Sequence, residues 1–214
     1  LRTLENTLDF AKKKKNHVIY LSSSMVYGEF DNKVVTEDQI CKPIGIYGNL
    51  KLAGELMVKA YNQVFETPYT IIRPSALYGE RCVSRRVGQI FIENSVQNQE
   101  IKINGNGEEK LDFTYISDLI NGILLVCENE KSLNQTFNIT YGDARKINEL
   151  VKILKEEFPN VKFSYKEREK FMPERGTLDI TKAKKLIGYK PSFPLEDGYL
   201  KYIDWYKNFY KLMS

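Results

Sequence analysis

"HVIYLSS" at residues 17–23 and "YTIIRPS" at residues 69–75 are the stretches that most restrict how this chain can fold. Each is a short, continuous apolar run with β-branched and aromatic members, bounded by polar residues. That is the pattern of a strand buried on both faces of a parallel sheet. Between them Leu50, Leu52, Leu56, Met57 and Ala60 recur at three- and four-residue intervals. This spacing predicts a helix opening near Ile46 and ending near Glu66. Parallel neighbours need a crossover connection, and a helix of this length supplies one. The three segments therefore read as a β-α-β unit, and the fold class as α/β.

Around that unit the elements become smaller. Residues 4–14 predict a helix, with the lysine run at 12–15 decorating its end, where cations suit the helix dipole. After Tyr78-Gly79, residues 81–97 read as a helix. "EIKINGNG" and "KLDFTYI" read as two short strands joined by an Asn-Gly turn. A helix over 117–129 with Ser117 as its N-cap comes next, then a strand over 135–140. An amphipathic helix over 146–158, a strand over 161–167, a short helix over 181–188 and a terminal helix from Leu195 complete the chain.

Composition excludes several classes. The 32 basic and 28 acidic residues are interspersed and leave a net charge of +4, which makes no electrostatic case for nucleic acid. The longest apolar runs, such as "GILLVC", are too short to span a bilayer, so no membrane partner is expected. Cys41, Cys82 and Cys127 are odd in number, widely separated and without a C-x-x-C, which fits neither a disulfide scaffold nor a zinc site and points to a reducing, cytoplasmic setting. The carboxylates have no ligand-like spacing, so no metal is expected, and His17, the sole histidine, reads as structural. The chain opens mid-helix without an initiating Met, which reads as a piece of a longer protein.

Two features carry chemistry. Ser22, Ser23 and Ser24 end the first strand, so their hydroxyls emerge at its carboxyl edge, where open α/β sheets bind ligands. They could equally satisfy fraying backbone. Tyr47 and Lys51 lie at i and i+4 on one helix face. A nearby ammonium favours an ionised phenol, so the two could form a proton-transfer pair, or simply a helix-start tyrosine packed on a lysine stem.

Taken together, "SSSMVYG", "YGNLK", "IIRPSALYG", "GNGEEKLDFTYISDL" and "DITKAKKLIGY" resemble, in order and spacing, the extended short-chain dehydrogenase/reductase family, the NAD-dependent epimerase/dehydratase group acting on nucleotide sugars. The resemblance covers almost the whole chain. It implies the C-terminal part of a Rossmann-type parallel sheet over residues 1–79 and a small α/β substrate-binding region over 80–214, with 136–140 returning to the main sheet. It implies Ser23, three positions before Val26, as the catalytic serine, Tyr47 as the catalytic tyrosine, and Lys51 as the lysine that also holds the nicotinamide ribose. Pro74 and Ser75 correspond to the strand end beside the nicotinamide. The implied cofactor is NAD, with NADP open, and the implied substrate is a nucleotide-diphosphate sugar. A homodimer through the first helix and the Tyr47 helix is expected by analogy.

The departures from the family pattern are equally informative. The glycine-rich dinucleotide fingerprint is not in this sequence, and "GNG" at 105–107 joins strands rather than opening a helix. Leu111 stands where relatives often carry a diphosphate-binding Arg, and Ala76 where many carry Asn. Arg85, Arg86, Arg168 and Arg175 are therefore the candidate diphosphate cations. Ser24 and Met25 stand where dehydratases of the family carry Asp and Glu, and neither can move protons as those do. Both are expected to line the substrate site. The expected activity is a 4-epimerase working through a 4-keto sugar, with a 4-keto sugar reductase as the alternative. An inactive remnant or oligomerisation partner is the reading from another class.

Overall fold

The computed structural model describes residues 1–31, 34–168 and 173–213. Helix α1 (Arg2–Lys12) leads to β1 (Val18–Leu21), and α2 (Gly45–Phe65) crosses over to β2 (Tyr69–Arg73). Then follow β3 (Leu77–Tyr78), α3 (Val87–Val96), β4 (Ile101–Asn104), β5 (Lys110–Leu111), β6 (Thr114–Tyr115), α4 (Ile116–Glu128) and β7 (Gln135–Asn138). The chain ends with β8 (Arg145–Lys146), α5 (Ile147–Glu157), β9 (Phe163–Lys166), α6 (Thr181–Ile187) and α7 (Leu195–Met213).

The main sheet is parallel in the order β1-β2-β7, with Val18 opposite Tyr69 and Arg73 opposite Asn138. Successive side chains of a strand face opposite ways. Ile71 accordingly joins Leu8, Ala11, Val18 and Val58 under α1 and α2, while Ile72 joins Leu119, Phe137, Ala183 and Ile187 under α4 and α6. A sheet covered on both faces is what continuous apolar strands require. A second core gathers α3, α5 and α7 around Tyr78, Phe91, Ile101, Leu154, Tyr199 and Tyr202.

Three expectations change. The 100–107 and 110–116 segments do not form a hairpin: β4 pairs parallel with β9, β5 pairs antiparallel with β8, and β6 pairs parallel with β3. The turn signal between them is real, since Gly105 and Gly107 have φ of 72° and 78°. It is used for docking instead. The Gly107 carbonyl accepts from Asn148 N at 3.0 Å, so the loop seats the start of α5. Helix α3 begins at Val87 rather than Arg81, because Arg81 and Arg85 take positive φ. Helix α4 begins one residue before Ser117, with Tyr115 as N-cap. Among the described residues no helix is long and apolar enough to cross a membrane.

Candidate active site

The carboxyl ends of β1 and β2 are laced together. Ser22 N donates to the Ile72 carbonyl at 2.8 Å and Ser24 N to the Pro74 carbonyl at 2.9 Å. β1 stops at Leu21 because Ser23, in extended conformation, caps a 3-10 turn over Ser24–Tyr27: its Oγ accepts from Met25 N at 3.2 Å. The strand therefore ends in a turn that presents residues 22–25 along the sheet edge, where α/β sheets hold ligands.

Helix α2 brings the second half of the chemistry. Tyr47 is 48% exposed. Lys51 donates from Nζ to the Leu21 carbonyl at 2.8 Å, which ties it to the end of β1. The same ammonium lies 5.8 Å from the centre of the Tyr47 ring and 5.5 Å from that of Tyr20.

A cavity of about 470 Å³ joins these groups: residues 22–25, Tyr47, Lys51, Pro74, Ser75, Ala76, Arg86 and Arg175 all line it. A second cavity of about 1090 Å³ is lined by Lys102, Glu109, Lys110, Lys166 and Arg168. Met25, Val87, Leu111 and Arg175 line both, so the two spaces adjoin. Together they suit a ligand with a small reacting group at one end and a larger polar body at the other.

The four candidate arginines separate. Arg175 lies at the junction, with Nη1 3.4 Å from Ser24 Oγ, Nη2 against Met25 Sδ and its guanidinium 5.5 Å from the Phe30 ring centre. Burial pushes its guanidinium down to about 10, against the opposing charge of Glu29. Arg86 lines the first cavity and donates to Ser84 Oγ at 3.2 Å. Arg168 lines the second and has Glu109 and Glu174 at 3.7 Å and 3.8 Å. Arg85 lines neither and pairs with Glu93 on the surface at 3.1 Å. His17 sits away from the serine-bearing strand end, 2.9 Å from Thr70 Oγ1. Among the described residues no group of His, Cys, Asp and Glu could hold a metal ion.

Beneath the site lies a buried network that reading the sequence missed. Glu55, fully buried on α2, accepts from Arg73 Nε at 2.9 Å, from Arg73 Nη2 at 2.6 Å and from Ser22 Oγ at 2.5 Å. Arg73 Nη1 donates to Tyr27 OH, and Tyr27 OH donates to Asn138 Oδ1 at 2.7 Å. One signal was available. A glutamate four residues beyond Lys51 and an arginine closing an apolar strand are opposite charges within patterns otherwise destined for burial.

Known proteins of the same kind sharpen the description. The pattern of the NAD dependent epimerase/dehydratase family matches residues 2–140. The chain is 35% identical over 210 residues to a putative UDP-glucose 4-epimerase of Methanocaldococcus jannaschii, covering 95% of this chain and 67% of that protein. It is 31% identical over 195 residues to a Bacillus subtilis protein named as an uncharacterized UDP-glucose epimerase, YtcB, covering 90% of this chain and 61% of that one. Among solved structures, the Bacillus cereus UDP-glucuronic acid 4-epimerase, in complex with UDP-glucuronic acid and NAD, superposes with a TM-score of 0.91 at 28% identity, over 97% of this chain and 67% of that chain. The Thermotoga maritima UDP-glucose 4-epimerase, with UDP-glucose, superposes with a TM-score of 0.90 at 30% identity, over 97% and 69%. The chain thus spans roughly half to two thirds of the length of the curated relatives it matches. With a parallel Rossmann-type sheet, a serine turn at its edge and a tyrosine and lysine on the crossover helix, the chain belongs to the NAD-dependent epimerase/dehydratase family of extended short-chain dehydrogenases/reductases.

Proposed function

We propose that this chain carries the catalytic and sugar-nucleotide-binding part of a nucleotide-sugar 4-epimerase. The observation that carries the reading is the meeting of Ser23, Tyr47 and Lys51 on one cavity, with Lys51 Nζ anchored on the Leu21 carbonyl beside the Tyr47 ring. Residues 1–79 with β7 form the dinucleotide-side body in this reading, and the rest forms the substrate side.

The residues present fit the nicotinamide end of NAD or NADP. Lys51 would hold the ribose, and Pro74 and Ser75 would flank the ring at the end of β2. The glycine-rich turn that receives a pyrophosphate is not in this sequence. The cofactor held there would supply a hydride acceptor and donor for the sugar carbon. Ser23 Oγ hydrogen-bonds the C4 oxygen of the sugar and holds it for transfer. The phenolate of Tyr47, stabilised by the Lys51 ammonium, takes the C4 hydroxyl proton and later gives it back. Arg175, at the junction of the cavities, and Arg86 and Arg168 on either side are placed to receive the diphosphate of a nucleotide sugar. Met25 and Ser24 have no acid–base competence near neutrality, so chemistry stays at one carbinol.

Ala76 favours one second reading, a 4-keto sugar reductase, because the small side chain lining the cavity lacks the amide common at this place in the family. Exposed apolar residues on α1 and α2, among them Phe10, Leu50 and Val64, support a homodimer through those helices. Three free cysteines suit a cytoplasmic setting.

One experiment separates these outcomes. The intact protein is incubated in deuterium oxide with a panel of nucleoside diphosphate sugars and NAD in one arm, and with their 4-keto derivatives and NADH or NADPH in another, and products are read by NMR and mass spectrometry. The expected product is the C4 epimer, without net oxidation of the cofactor and without solvent deuterium on C3, C5 or C6. Stoichiometric consumption of reduced cofactor would establish the reductase. Deuterium at those carbons, or loss of water, would refute both readings.

A further inference from the structure

We infer that Glu55 is a positioning residue for this reaction, clamped by Arg73 and acting through Ser22 on the strand end that carries Ser23. The inference rests on the functional reading above but draws on Glu55 and Arg73, which line neither cavity, and reaches the site through Ser22, which lines the first.

The geometry is specific. The catalytic groups sit on three separate elements: Ser23 beyond β1, Tyr47 and Lys51 on α2, and Pro74 with Ser75 beyond β2. Each has a neighbour in the buried network. Ser22 precedes Ser23, Glu55 lies one helical turn beyond Lys51, and Arg73 precedes Pro74. The carboxylate of Glu55 accepts from both partners at once, from Ser22 Oγ at 2.5 Å and from Arg73 through two nitrogens. A bidentate guanidinium–carboxylate pair fixes orientation as well as distance. Both partners are almost wholly buried, with side-chain exposures of 3% and 0%, so solvent does not loosen the pair.

Buried ion pairs are a weak route to stability compared with apolar packing of equal volume. Here the pair also aligns three elements whose ends must agree to a fraction of an ångström for proton and hydride transfer. The hydroxyl of Ser22 is turned to Glu55, so it links the buried pair to the strand end that lines the first cavity. It fixes the residue between Leu21, whose carbonyl anchors Lys51, and Ser23, which is to meet the sugar. Loosening it lets the Lys51 ammonium drift from the Tyr47 ring, and the phenolate loses support.

Removing Glu55 or Arg73 strands a buried charge and threatens the fold itself, so Ser22→Ala is the informative variant. Ser132→Ala is its control: that hydroxyl is equally buried, donates to the Val126 carbonyl at 2.7 Å, and lies far from the site in the chain. In the intact protein Ser22→Ala is expected to lower kcat by roughly ten-fold with KM for the sugar nucleotide within about two-fold, and to move the pH–rate profile to higher pH. Ser132→Ala is expected to lose a similar amount of thermal stability and to keep both kcat and profile. Equal behaviour of the two variants would overturn the proposal. Ultraviolet titration of the phenolate, each protein against its Tyr47→Phe counterpart, gives a readout independent of turnover. A shift in Ser22→Ala alone supports the positioning role even if no nucleotide sugar is turned over, a result that would sink only the functional reading. No shift in either variant would sink the positioning role.

Discussion

At the scale of single residues, the proposed mechanism rests on a phenol and an ammonium held one helical turn apart. Lys51 does not point freely into the cavity. It is tied to the Leu21 carbonyl at 2.8 Å, and this tether sets its place beside Tyr47. If Tyr47 is the proton acceptor as proposed, Tyr47→Phe removes it and leaves the ring, so turnover in the intact protein should fall by roughly 10²–10⁴ while substrate affinity barely changes. Lys51→Met keeps most of the stem and removes the charge. On the proposed mechanism it should weaken cofactor binding and lower turnover, because the ammonium that holds the ribose is gone. Near-normal turnover in Tyr47→Phe, measured in steady state, would remove Tyr47 from the mechanism. Ser23, Tyr47 and Lys51 were singled out by the resemblance of "SSSMVYG" and "YGNLK" to the family; strand and helix geometry alone left each with a structural reading as well. Arg175 and Arg85 were not separable there. A guanidinium reaches far, and whether it meets Ser24 and Met25 or a surface glutamate depends on chain folding far away in sequence.

At the scale of elements, α2 contains a glycine at 48 within its first turn, where helix propensity alone argues against one. Packing supplies the reason. A Cβ at Gly48 would lie 2.7 Å from the Met25 carbonyl oxygen and 2.9 Å from Pro43 Cβ. Gly54 is as tight, 2.1 Å from Tyr20 OH. These two glycines bracket Lys51 and let the helix ride close to β1 and to the serine turn. Gly48→Ala would gain up to about 1 kcal/mol of helix propensity but must push the helix start off the turn, at a cost of about 1–3 kcal/mol. Net destabilisation by urea unfolding, together with a loss of turnover, is the expected result. A stabilised and fully active alanine variant would show that the close approach is dispensable.

At the scale of the whole molecule, one buried carboxylate ties together three segments far apart in the sequence. Asp112 accepts from Thr140 Oγ1 at 3.0 Å, Gly142 N at 3.1 Å and Leu178 N at 3.1 Å, so it joins the segment after β5 to the loop after β7 and to the approach to α6. Burial pushes its carboxyl up to about 6, against the lowering pull of its hydrogen-bond donors. The native state therefore binds this proton more tightly than the unfolded chain does. The stabilisation linked to it is full below about 4 and is lost as pH rises through about 6, on the order of 3 kcal/mol in all. Asp112→Asn cannot titrate and presents an amide N–H toward one of the backbone donors, which leaves that donor unpaired. The difference in unfolding free energy between wild type and Asp112→Asn, measured from pH 4 to 7, should slope in the direction of wild-type loss as pH rises. A flat difference would mean that Asp112 is ionised throughout. The apolar runs at 17–23 and 69–75 and the helical spacing between them determined by themselves the parallel β-α-β unit, while the resemblance of the serine and tyrosine–lysine motifs to the family singled out Ser23, Tyr47 and Lys51. Those patterns repeat every two or three to four residues, and so they are complete within a short window. The partners of β4, β5 and β6, the Glu55–Arg73 clamp and the junction of the two cavities at Arg175 were decided only by the tertiary structure. A two- to four-residue strand carries too little side-chain pattern to name its partner, and a buried charge is tolerated only where the finished fold delivers its counter-charge.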